Sequence, residues 1–326
     1  MILVIGACGQ IGKELTVALR EQYGRFHVIA ADTLPGAPDQ NELSKVVRNG
    51  GVTQIYLLTD TRSAGEPDIH AVWKLNVRGL LSVLEVAKEH RLDKVFWSSS
   101  MDIFGPGAPK YNCPQQTHRE PGTVYGMSKR AGEYWCNHYF EQYGVDVRSL
   151  RFPGLISCTA PAGSGTTDYA ADIFHQALKK QYYTCFLNED TCLPMMYMPD
   201  AIRATMELMN APKEAVKVRT SYNVAGMSFA PCDLAAEIKR HIPGFRIGYE
   251  PDHREVIAAG CPASINDEQA RRDWGWQPRF DLKSMTRDML FRLSKHKEVH
   301  REQHGPLHDF PDFPNEDYDF TGVFNR

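Results

Sequence analysis

Short apolar runs alternate with stretches of helical apolar spacing along the first half of the chain. The short runs predict β-strands and lie at 1–5, 26–31, 52–58, 94–97 and 145–152. Apolar residues at helical spacing predict helices over 76–90, 123–143 and 168–180. Strands that alternate with helices are typical of a parallel sheet with crossover helices, and we predict about six strands by residue 155.

The alternation loosens after residue 155, where a Gly/Ser/Thr segment at 163–168 is followed by mixed elements. We therefore predict an α/β fold, a Rossmann-like doubly wound parallel sheet with a smaller, partly interleaved C-terminal substrate domain. The predicted division is a first domain of residues 1–155 with a return segment at about 195–225, a substrate domain of residues 156–194 and 226–294, and a flexible tail at 295–326.

Three glycines follow the first predicted strand, and Gly6, Gly9 and Gly12 form the pattern G-x-x-G-x-x-G before a helix. Missing side chains at such a turn let the backbone approach a pyrophosphate at the helix N-terminus. The next predicted strand ends at Asp32, about 20 residues later, where a carboxylate accepts hydrogen bonds from ribose hydroxyls. Because that carboxylate repels a 2′-phosphate, the sequence favours NAD over NADP.

Composition narrows the class of protein further. The 326 residues are 42% hydrophobic and have a net charge of −3, which gives no electrostatic reason to bind nucleic acid or an anionic membrane. No apolar stretch is long enough to span a bilayer, so we expect no membrane partner. The eight cysteines lack C-x-x-C spacing, and we expect free thiols in a reducing compartment rather than disulfides or a zinc site.

The candidate chemistry lies in three side chains. Tyr125 and Lys129 are one helical turn apart and face the same side of a predicted helix, so the ammonium favours the phenolate form of the tyrosine. Ser100 follows the strand at 94–97, at the carboxyl edge of the sheet where a cleft forms. The trio predicts a site that moves a hydroxyl proton, as an oxidoreductase requires.

The chain resembles the extended short-chain dehydrogenase/reductases. The resemblance depends on the glycine pattern, Asn76 in L-N-V-R-G, S-S-S-x-x-x-F-G at 98–105, Y-x-x-x-K and R-F-P-G at 151–154. Within that family, G-T-T-D-Y-A at 165–170 and P-M-M-Y-M at 194–198 are similar to the L-threonine 3-dehydrogenase branch. The sequence on its own favours packing for the methionines of the second segment.

The resemblance implies a role for individual residues. Tyr125 would take the C3 hydroxyl proton of L-threonine while hydride passes to NAD, Ser100 would orient that oxygen, and Lys129 would bind the nicotinamide ribose. The implied product is 2-amino-3-oxobutanoate. The cofactor-binding positions are Gly6, Gly9, Gln10, Ile11, Gly12, Asp32, Thr33, Asp39, Leu57, Tyr125, Lys129 and Leu155, and the substrate-binding positions are Ser63, Ser100, Tyr125, Thr166, Thr167 and Asp168. From the residues alone, Thr166, Thr167 and Asp168 also fit the N-terminal cap of the helix at 168–180.

Several segments depart from the family pattern. The family has a third strand after the position of Asp32, but here only a short Pro/Gly-rich segment leads to Asp39. Either adenine binding is weakened, or Asp39 replaces the acidic residue that contacts adenine in the family. L-L-T-D occupies 57–60, and Cys261 replaces a tryptophan common in the family. In the tail, histidines recur every four residues from His296 to His308, but Gly305 and Pro306 interrupt a helix there, and we predict no metal site.

Three functions remain open from sequence. The leading one is NAD-dependent threonine oxidation, and the alternatives are a nucleotide-sugar epimerase or dehydratase and a catalytically weak NAD-binding scaffold. The resemblance also implies a homodimer that packs through the helices at 76–90 and 123–143. We expect a cytoplasmic location, or the mitochondrial matrix if a leader has been removed.

Overall fold

The computed structural model describes residues 1–32, 38–59, 68–159 and 165–304, with side chains described up to Lys295. The strands are β1 (Ile2–Ile5), β2 (Val28–Ala31), β3 (Gln54–Leu57), β4 (Lys94–Ser100), β5 (Val147–Phe152), β6 (Gly154–Ile156), β7 (Tyr182–Cys185), β8 (Leu193–Tyr197), β9 (Tyr222–Asn223), β10 (Met227–Phe229) and β11 (Arg246–Tyr249). The α-helices are α1 (Gln10–Tyr23), α2 (Gln40–Gly50), α3 (Ile69–Trp73), α4 (Gly79–His90), α5 (Val124–Tyr143), α6 (Tyr169–Lys180), α7 (Met198–Asn210), α8 (Pro231–His241), α9 (His253–Ala259), α10 (Glu268–Trp274) and α11 (Leu282–His304).

Six parallel strands form the main sheet in the order β2-β1-β3-β4-β5-β9. The Rossmann-like α/β fold predicted from sequence is therefore confirmed. The prediction of about six strands by residue 155 was wrong in one respect, because five strands of this sheet lie there among the described residues. The sixth is β9, a two-residue strand in the predicted return segment, which is too short to give a periodic apolar signal.

Alternate residues of the central strands enter two separate cores. In β1, Leu3 and Ile5 pack on one face of the sheet with residues of α2 and α4, while Ile2 and Val4 pack on the other face with residues of α1 and α7. Both faces are covered, so the strands are apolar throughout rather than alternating, as buried parallel strands usually are.

A third core lies beyond the main sheet and is built from the second half of the chain. It combines α6, α8 and α11 with a three-stranded sheet, β10-β8-β6, and a two-stranded parallel sheet, β11-β7. Met195 and Tyr197 of β8 are fully buried, which confirms that the P-M-M-Y-M segment packs in the core. Trp276, which follows α10, packs with the main sheet instead, so the chain crosses between the two parts more than once.

Strand β2 forms one edge of the main sheet. In the described part of the chain no strand lies between β2 and α2, and β2 is an outer strand of the sheet. At the other end of the chain, α11 continues to His304 and so extends past residue 295, where the sequence predicts a tail. Residues 305–326 lie outside the described residues. The division into domains stays a prediction.

Candidate functional site

The turn between β1 and α1 is shaped for a close approach of another group to its backbone. Gly6 has a φ of +87°, a conformation that residues with a β-carbon rarely adopt, and a β-carbon on it would lie 2.7 Å from the backbone nitrogen of Thr59. A β-carbon on Gly12 would lie 2.0 Å from the carbonyl oxygen of Gly6. Glycine at both positions is therefore required by packing, and the predicted glycine turn is present.

The N-cap residue of α1 gives no side-chain hydrogen bond to the backbone N–H groups of the first helical turn. Gly9 is the N-cap and gives no side-chain hydrogen bond, and Gln10 and Ile11 are the first, half-buried residues of the helix. Backbone donors and the helix dipole at such an end favour a phosphate group. The turn lies at the carboxyl end of β1, next to β3, where the strand order reverses and α/β sheets bind ligands.

The carboxylate predicted to bind ribose is next to this turn. Asp32 directly follows β2, and its Oδ2 accepts a hydrogen bond of 3.2 Å from the backbone nitrogen of Cys8. Burial, and then the hydrogen bond to Asp32, raise the pKa of the Cys8 thiol to about 11, so it stays protonated beside the carboxylate at neutral pH. Leu57 ends β3 in register with Ile5 and is buried.

Other predicted cofactor contacts are less directly supported. Asp39 is the N-cap of α2, where its Oδ1 accepts hydrogen bonds from the backbone nitrogens of Asn41 and Glu42 at 2.9 and 3.1 Å. This capping role accounts for the carboxylate without a cofactor. Leu155 is buried in the core beneath the main sheet, and Thr33 lies outside the described residues. Contacts of these three residues with NAD stay predictions.

The turn, the open helix end and Asp32 together fit a dinucleotide. Gly6, Gly9 and Gly12 leave room for a pyrophosphate against the start of α1, and Asp32 is placed at the end of the neighbouring strand. Lys129 adds a buried cation next to Tyr125. These residues would hold NAD, which would supply the hydride acceptor.

Helix α5 places Tyr125 and Lys129 at its first turns. Thr123 is the N-cap, and its Oγ1 accepts a hydrogen bond of 3.0 Å from the backbone nitrogen of Gly126. Lys129 is fully buried, and its Nζ donates to the carbonyl oxygen of Ser98 at 2.7 Å and lies 5.4 Å from the centroid of the Tyr125 ring. The ammonium charge is thus fixed beside the tyrosine, as the sequence predicts.

A hydrogen-bonded chain connects this helix start to the helix before it. Asn76 Nδ2 donates to Ser128 Oγ at 2.9 Å, and Ser128 Oγ donates to the carbonyl oxygen of Tyr125 at 2.7 Å. Asn76 lies in a single turn of π-helix, 74–78, which joins α3 to α4. All three residues are buried, so the turn that includes Tyr125 is fixed in position by groups that water does not reach.

Ser100 ends β4 and faces the same region. Its Oγ accepts a hydrogen bond of 3.2 Å from the backbone nitrogen of Asp102, in the 3₁₀ turn that follows the strand. Sequence reasoning offered two roles for this serine, the end of a strand and a substrate contact. The structure shows that the first role is real, and since Ser100 also lines the cavity described below, the two roles are compatible.

A buried ion pair lies behind these residues. Glu133 of α5 accepts from Arg151 Nε at 2.7 Å and Nη2 at 2.8 Å, and also from Ser99 Oγ at 2.8 Å. Arg151 Nη1 donates to Asn223 Oδ1 of β9 at 2.9 Å. The pair connects α5 to three neighbouring strands, which fixes the distance between the helix with Tyr125 and the strand with Ser100.

A cavity of about 290 Å³ opens in front of Ser100 and Tyr125. Thr166 and Thr167 line it from the turn before α6, as predicted for substrate-binding residues, and Pro153 and Gly154 line it from the end of β5. Asp168 does not line the cavity; its carboxylate accepts a hydrogen bond of 2.5 Å from the backbone nitrogen of Gly165. Ser63, another predicted substrate contact, lies outside the described residues.

The cavity has walls that sequence reasoning missed. Asp102 follows Ser100 by two positions, and Arg254, Val256, Ile257 and Cys261 come from α9 and the turn after it. The acidic residue within S-S-S-x-x-x-F-G was a visible signal for Asp102. Nothing in the local pattern indicates α9, because its seven residues are far from the motifs in sequence and reach the site only through the fold.

The described residues contain no group of histidine, cysteine and carboxylate side chains that is arranged to hold a metal ion. All eight cysteines are free thiols, as expected. Within the described residues no helix is both long and apolar enough to cross a membrane.

Several known proteins are similar to this chain in sequence and structure. The model of the NAD dependent epimerase/dehydratase family matches residues 2–225. A mitochondrial L-threonine 3-dehydrogenase of Sus scrofa is 40% identical over 314 residues, which are 91% of this chain and 84% of that protein.

Two solved structures superpose closely on this one. The GalE-like L-threonine dehydrogenase from Cupriavidus necator, in its holo form, is 53% identical, with a TM-score of 0.87 over 90% of this chain and 99% of that chain. A monomeric L-threonine 3-dehydrogenase from a metagenome database, in its apo form, is 42% identical, with a TM-score of 0.86 over 91% of this chain and 99% of that one.

Proposed function

We propose that this chain, which belongs to the NAD dependent epimerase/dehydratase family, is an NAD-dependent L-threonine 3-dehydrogenase. It oxidises the C3 hydroxyl of L-threonine and forms 2-amino-3-oxobutanoate. The observation that carries this proposal is the cavity, in which Ser100, Tyr125, Thr166 and Thr167 meet beside the dinucleotide site. Similarity of 40% and 53% to threonine dehydrogenases supports the same substrate.

Each residue of the site has a part in the reaction. Tyr125, as phenolate, accepts the proton of the C3 hydroxyl, and Ser100 donates a hydrogen bond to the same oxygen and keeps it in line. The buried ammonium of Lys129, 5.4 Å from the tyrosine ring, stabilises the negative charge there. Bound NAD supplies the hydride acceptor.

The side chains of Tyr125 and Ser100 are largely shielded from water. Tyr125 is 7% exposed and Ser100 is 4% exposed, so few water molecules compete for their hydrogen bonds. Apolar side chains such as Phe104 and Leu193 complete the wall of the cavity. In a poorly hydrated cavity the charge on Tyr125 and Lys129 acts more strongly on the substrate than it would in water.

The test is NADH formation from L-threonine and NAD by the wild type and by Tyr125→Phe. The variant keeps the ring and removes the proton acceptor, so we expect kcat to fall at least about 100-fold while NAD affinity is retained. Ser149→Ala is a matched control, because it removes a buried hydroxyl that bonds Ser221 outside the cavity. A wild type that binds NAD but forms no NADH from threonine rejects this function.

We also propose that the chain forms homodimers, as predicted from the resemblance. The support is an apolar face on α3 and α5, where five large apolar or aromatic side chains are between 38% and 59% exposed: Ile69, Trp73, Met127, Tyr134 and Trp135. Helix α5 is one of the two helices predicted at the interface. Since one similar dehydrogenase is monomeric, similarity alone does not decide the oligomeric state. A cytoplasmic location stays a prediction.

A further inference from the structure

One acidic and one basic residue are among the described residues that line the cavity. Among its described lining residues, Asp102 is the acidic one and Arg254 is the basic one, and the rest are apolar or hydroxyl-bearing. Asp102 comes from the turn after β4, two residues beyond Ser100, whereas Arg254 comes from α9. A cavity that is otherwise lined by apolar and hydroxyl-bearing residues thus has an acidic and a basic residue from different elements of the fold.

Arg254 is held in one orientation. Its Nε and Nη2 donate to the carboxylate of Asp252 at 3.0 and 2.6 Å, and its guanidinium lies over the ring of Phe186, 3.2 Å from the centroid. The hydrogen bond from Arg254 comes first among the causes that lower the pKa of Asp252 to about 2, so this partner stays ionised at neutral pH. The pinned guanidinium has further N–H groups with which to bind a carboxylate in the cavity.

Asp102 lines the same cavity as Ser100. Its backbone nitrogen is bonded to Ser100 Oγ, which ties its position to that of the predicted substrate-orienting hydroxyl. Burial, and then the negative charge of Asp102, raise the pKa of the Cys261 thiol to about 12, which indicates that the carboxylate is close to the Cys261 wall. An ammonium group bound beside Ser100 would have Asp102 as its acidic neighbour.

We propose that Asp102 and Arg254 form a zwitterion site, in which Asp102 binds the α-ammonium group of the substrate and Arg254 binds its α-carboxylate. The proposal rests on the proposed function and refines it, because it assigns the recognition of the amino-acid backbone to two residues outside the proton-transfer trio. It also takes the acidic role away from Asp168, whose carboxylate bonds the backbone of Gly165.

The zwitterion site predicts which part of the substrate each residue recognises. With L-threonine, Arg254→Gln and Asp102→Asn should each raise KM about 10- to 100-fold, because a charge-assisted hydrogen bond is lost. With L-threonine amide, which lacks the carboxylate charge, Arg254→Gln should raise KM less than threefold. With 3-hydroxybutanoate, which lacks the ammonium group, Asp102→Asn should likewise raise KM less than threefold.

Two surface variants serve as matched controls. Arg240→Gln removes an arginine that is also ion-paired, to Glu237, but lies outside the cavity, and Asp93→Asn removes an exposed carboxylate. Both should leave KM for L-threonine within about twofold. The NAD affinity and the melting temperature of the two cavity variants are compared with those of the wild type, which shows whether either variant has lost its fold. Arg254→Lys keeps the positive charge but lacks the paired donors of the guanidinium group, so it should give an intermediate KM.

Binding separates this proposal from the function on which it rests. L-Threonine is titrated by calorimetry into the NAD complexes of the wild type and of Tyr125→Phe, with and without the cavity substitutions. Binding that weakens in both cavity variants, without turnover in the wild type, rejects the dehydrogenase and keeps the zwitterion site. Turnover in the wild type with KM unchanged in folded Arg254→Gln and Asp102→Asn keeps the dehydrogenase and overturns the zwitterion site. A wild type that neither binds nor oxidises threonine overturns both.

Discussion

The glycines after β1 show how single residues determine the cofactor site. Gly12 lies in the first turn of α1, and its α-carbon is so close to the carbonyl oxygen of Gly6 that a β-carbon would lie 2.0 Å away. Both atoms belong to backbone, which cannot rotate away as a long side chain does. The pyrophosphate site therefore depends on the absence of one methyl group.

We predict that Gly12→Ala destabilises the protein and weakens NAD binding together. Inserting a methyl group into this contact should lower the free energy of unfolding by about 1–3 kcal/mol, because α1 must move away from β1. Urea denaturation gives the stability and calorimetry gives the NAD affinity.

Gly122→Ala is the matched control for stability, since a β-carbon there has no atom within 4 Å. If Gly12→Ala binds NAD as tightly as the wild type does, the close approach of α1 to the turn has no role in cofactor binding.

Individual site residues were predictable from sequence where a local motif includes them. Ser100, Tyr125 and Lys129 lie within short patterns whose spacing already implies a shared helix face or strand end, and Thr166 and Thr167 lie within a segment typical of the family branch. Arg254 was not predicted, because its place in the cavity results from the packing of α9 into the third core, where Ala258 is buried. No pattern within a few residues of Arg254 contains that information.

At the scale of elements, buried charges hold the helices and strands in register. Arg148 of β5 is fully buried, and its Nη1 donates to the carbonyl oxygens of Leu208 and Ala211, both at 2.7 Å. These carbonyls are at the C-terminal end of α7, where helical partners are lacking. The other edge of Arg148 donates to Asp146, which also accepts from Arg219 at 2.5 Å.

The pH dependence of stability should report on this group. Burial opposes ionisation of Asp146, but Arg148 and Arg219 outweigh it and lower the pKa of the carboxyl below its usual value. A lowered folded-state pKa means that the contribution of Asp146 is fully present above the unfolded pKa of about 3.9 and is lost as pH falls through the folded value.

We predict that Asp146→Asn lowers the free energy of unfolding by about 3 kcal/mol at neutral pH, because two buried guanidinium groups lose their counter-charge. The difference from the wild type should begin to shrink below about pH 4, because the unfolded chain takes up a proton at Asp146 there, and it should vanish once the folded carboxylate is also protonated at lower pH. Denaturant titrations between pH 3 and pH 7 measure both effects. A difference that is constant over that range would mean that the charge of Asp146 does not contribute. Asp93→Asn, at an exposed position, is the control.

Elements with strong periodicity were predictable, and short ones were not. The long helix at 123–143 was placed within one residue of α5, because twenty residues give several repeats of the apolar pattern. Strand β9 has two residues and contains no repeat, and it joins the sheet because β5 offers it a parallel edge. The Pro/Gly-rich segment after β2 lies mostly outside the described residues, so the predicted lack of a third strand there stays a prediction.

For the whole molecule, the site depends on both halves of the chain. The main sheet supplies the dinucleotide turn, Ser100 and Tyr125, while α9 and the turn before α6 supply the opposite wall. Since the two halves have separate cores, a small change in their relative position alters the distance between Arg254 and Ser100.

The apolar face on α3 and α5 leads to a prediction about assembly. Ile69 and Trp73 are one turn apart on α3, and Met127 and Tyr134 are two turns apart on α5, so each pair lies on one side of its helix. Large apolar side chains in such stripes stabilise an interface by about 25 cal/mol per Å² of apolar surface buried. We expect a dimer of twice the 36.9 kDa chain mass in sedimentation velocity.

Charge on this face should dissociate the dimer. In Trp73→Glu and Tyr134→Glu a carboxylate replaces a ring in the buried centre, and because two-fold symmetry brings each change into the interface twice, we expect the dimer dissociation constant to rise at least about 100-fold. Phe26→Glu is the control, since Phe26 is 90% exposed and lies outside α3 and α5. A wild type that sediments as a monomer, or a dimer that persists in both variants, contradicts the assignment of this face. If the monomeric variants still oxidise threonine at the wild-type rate, each cavity is complete within a single chain.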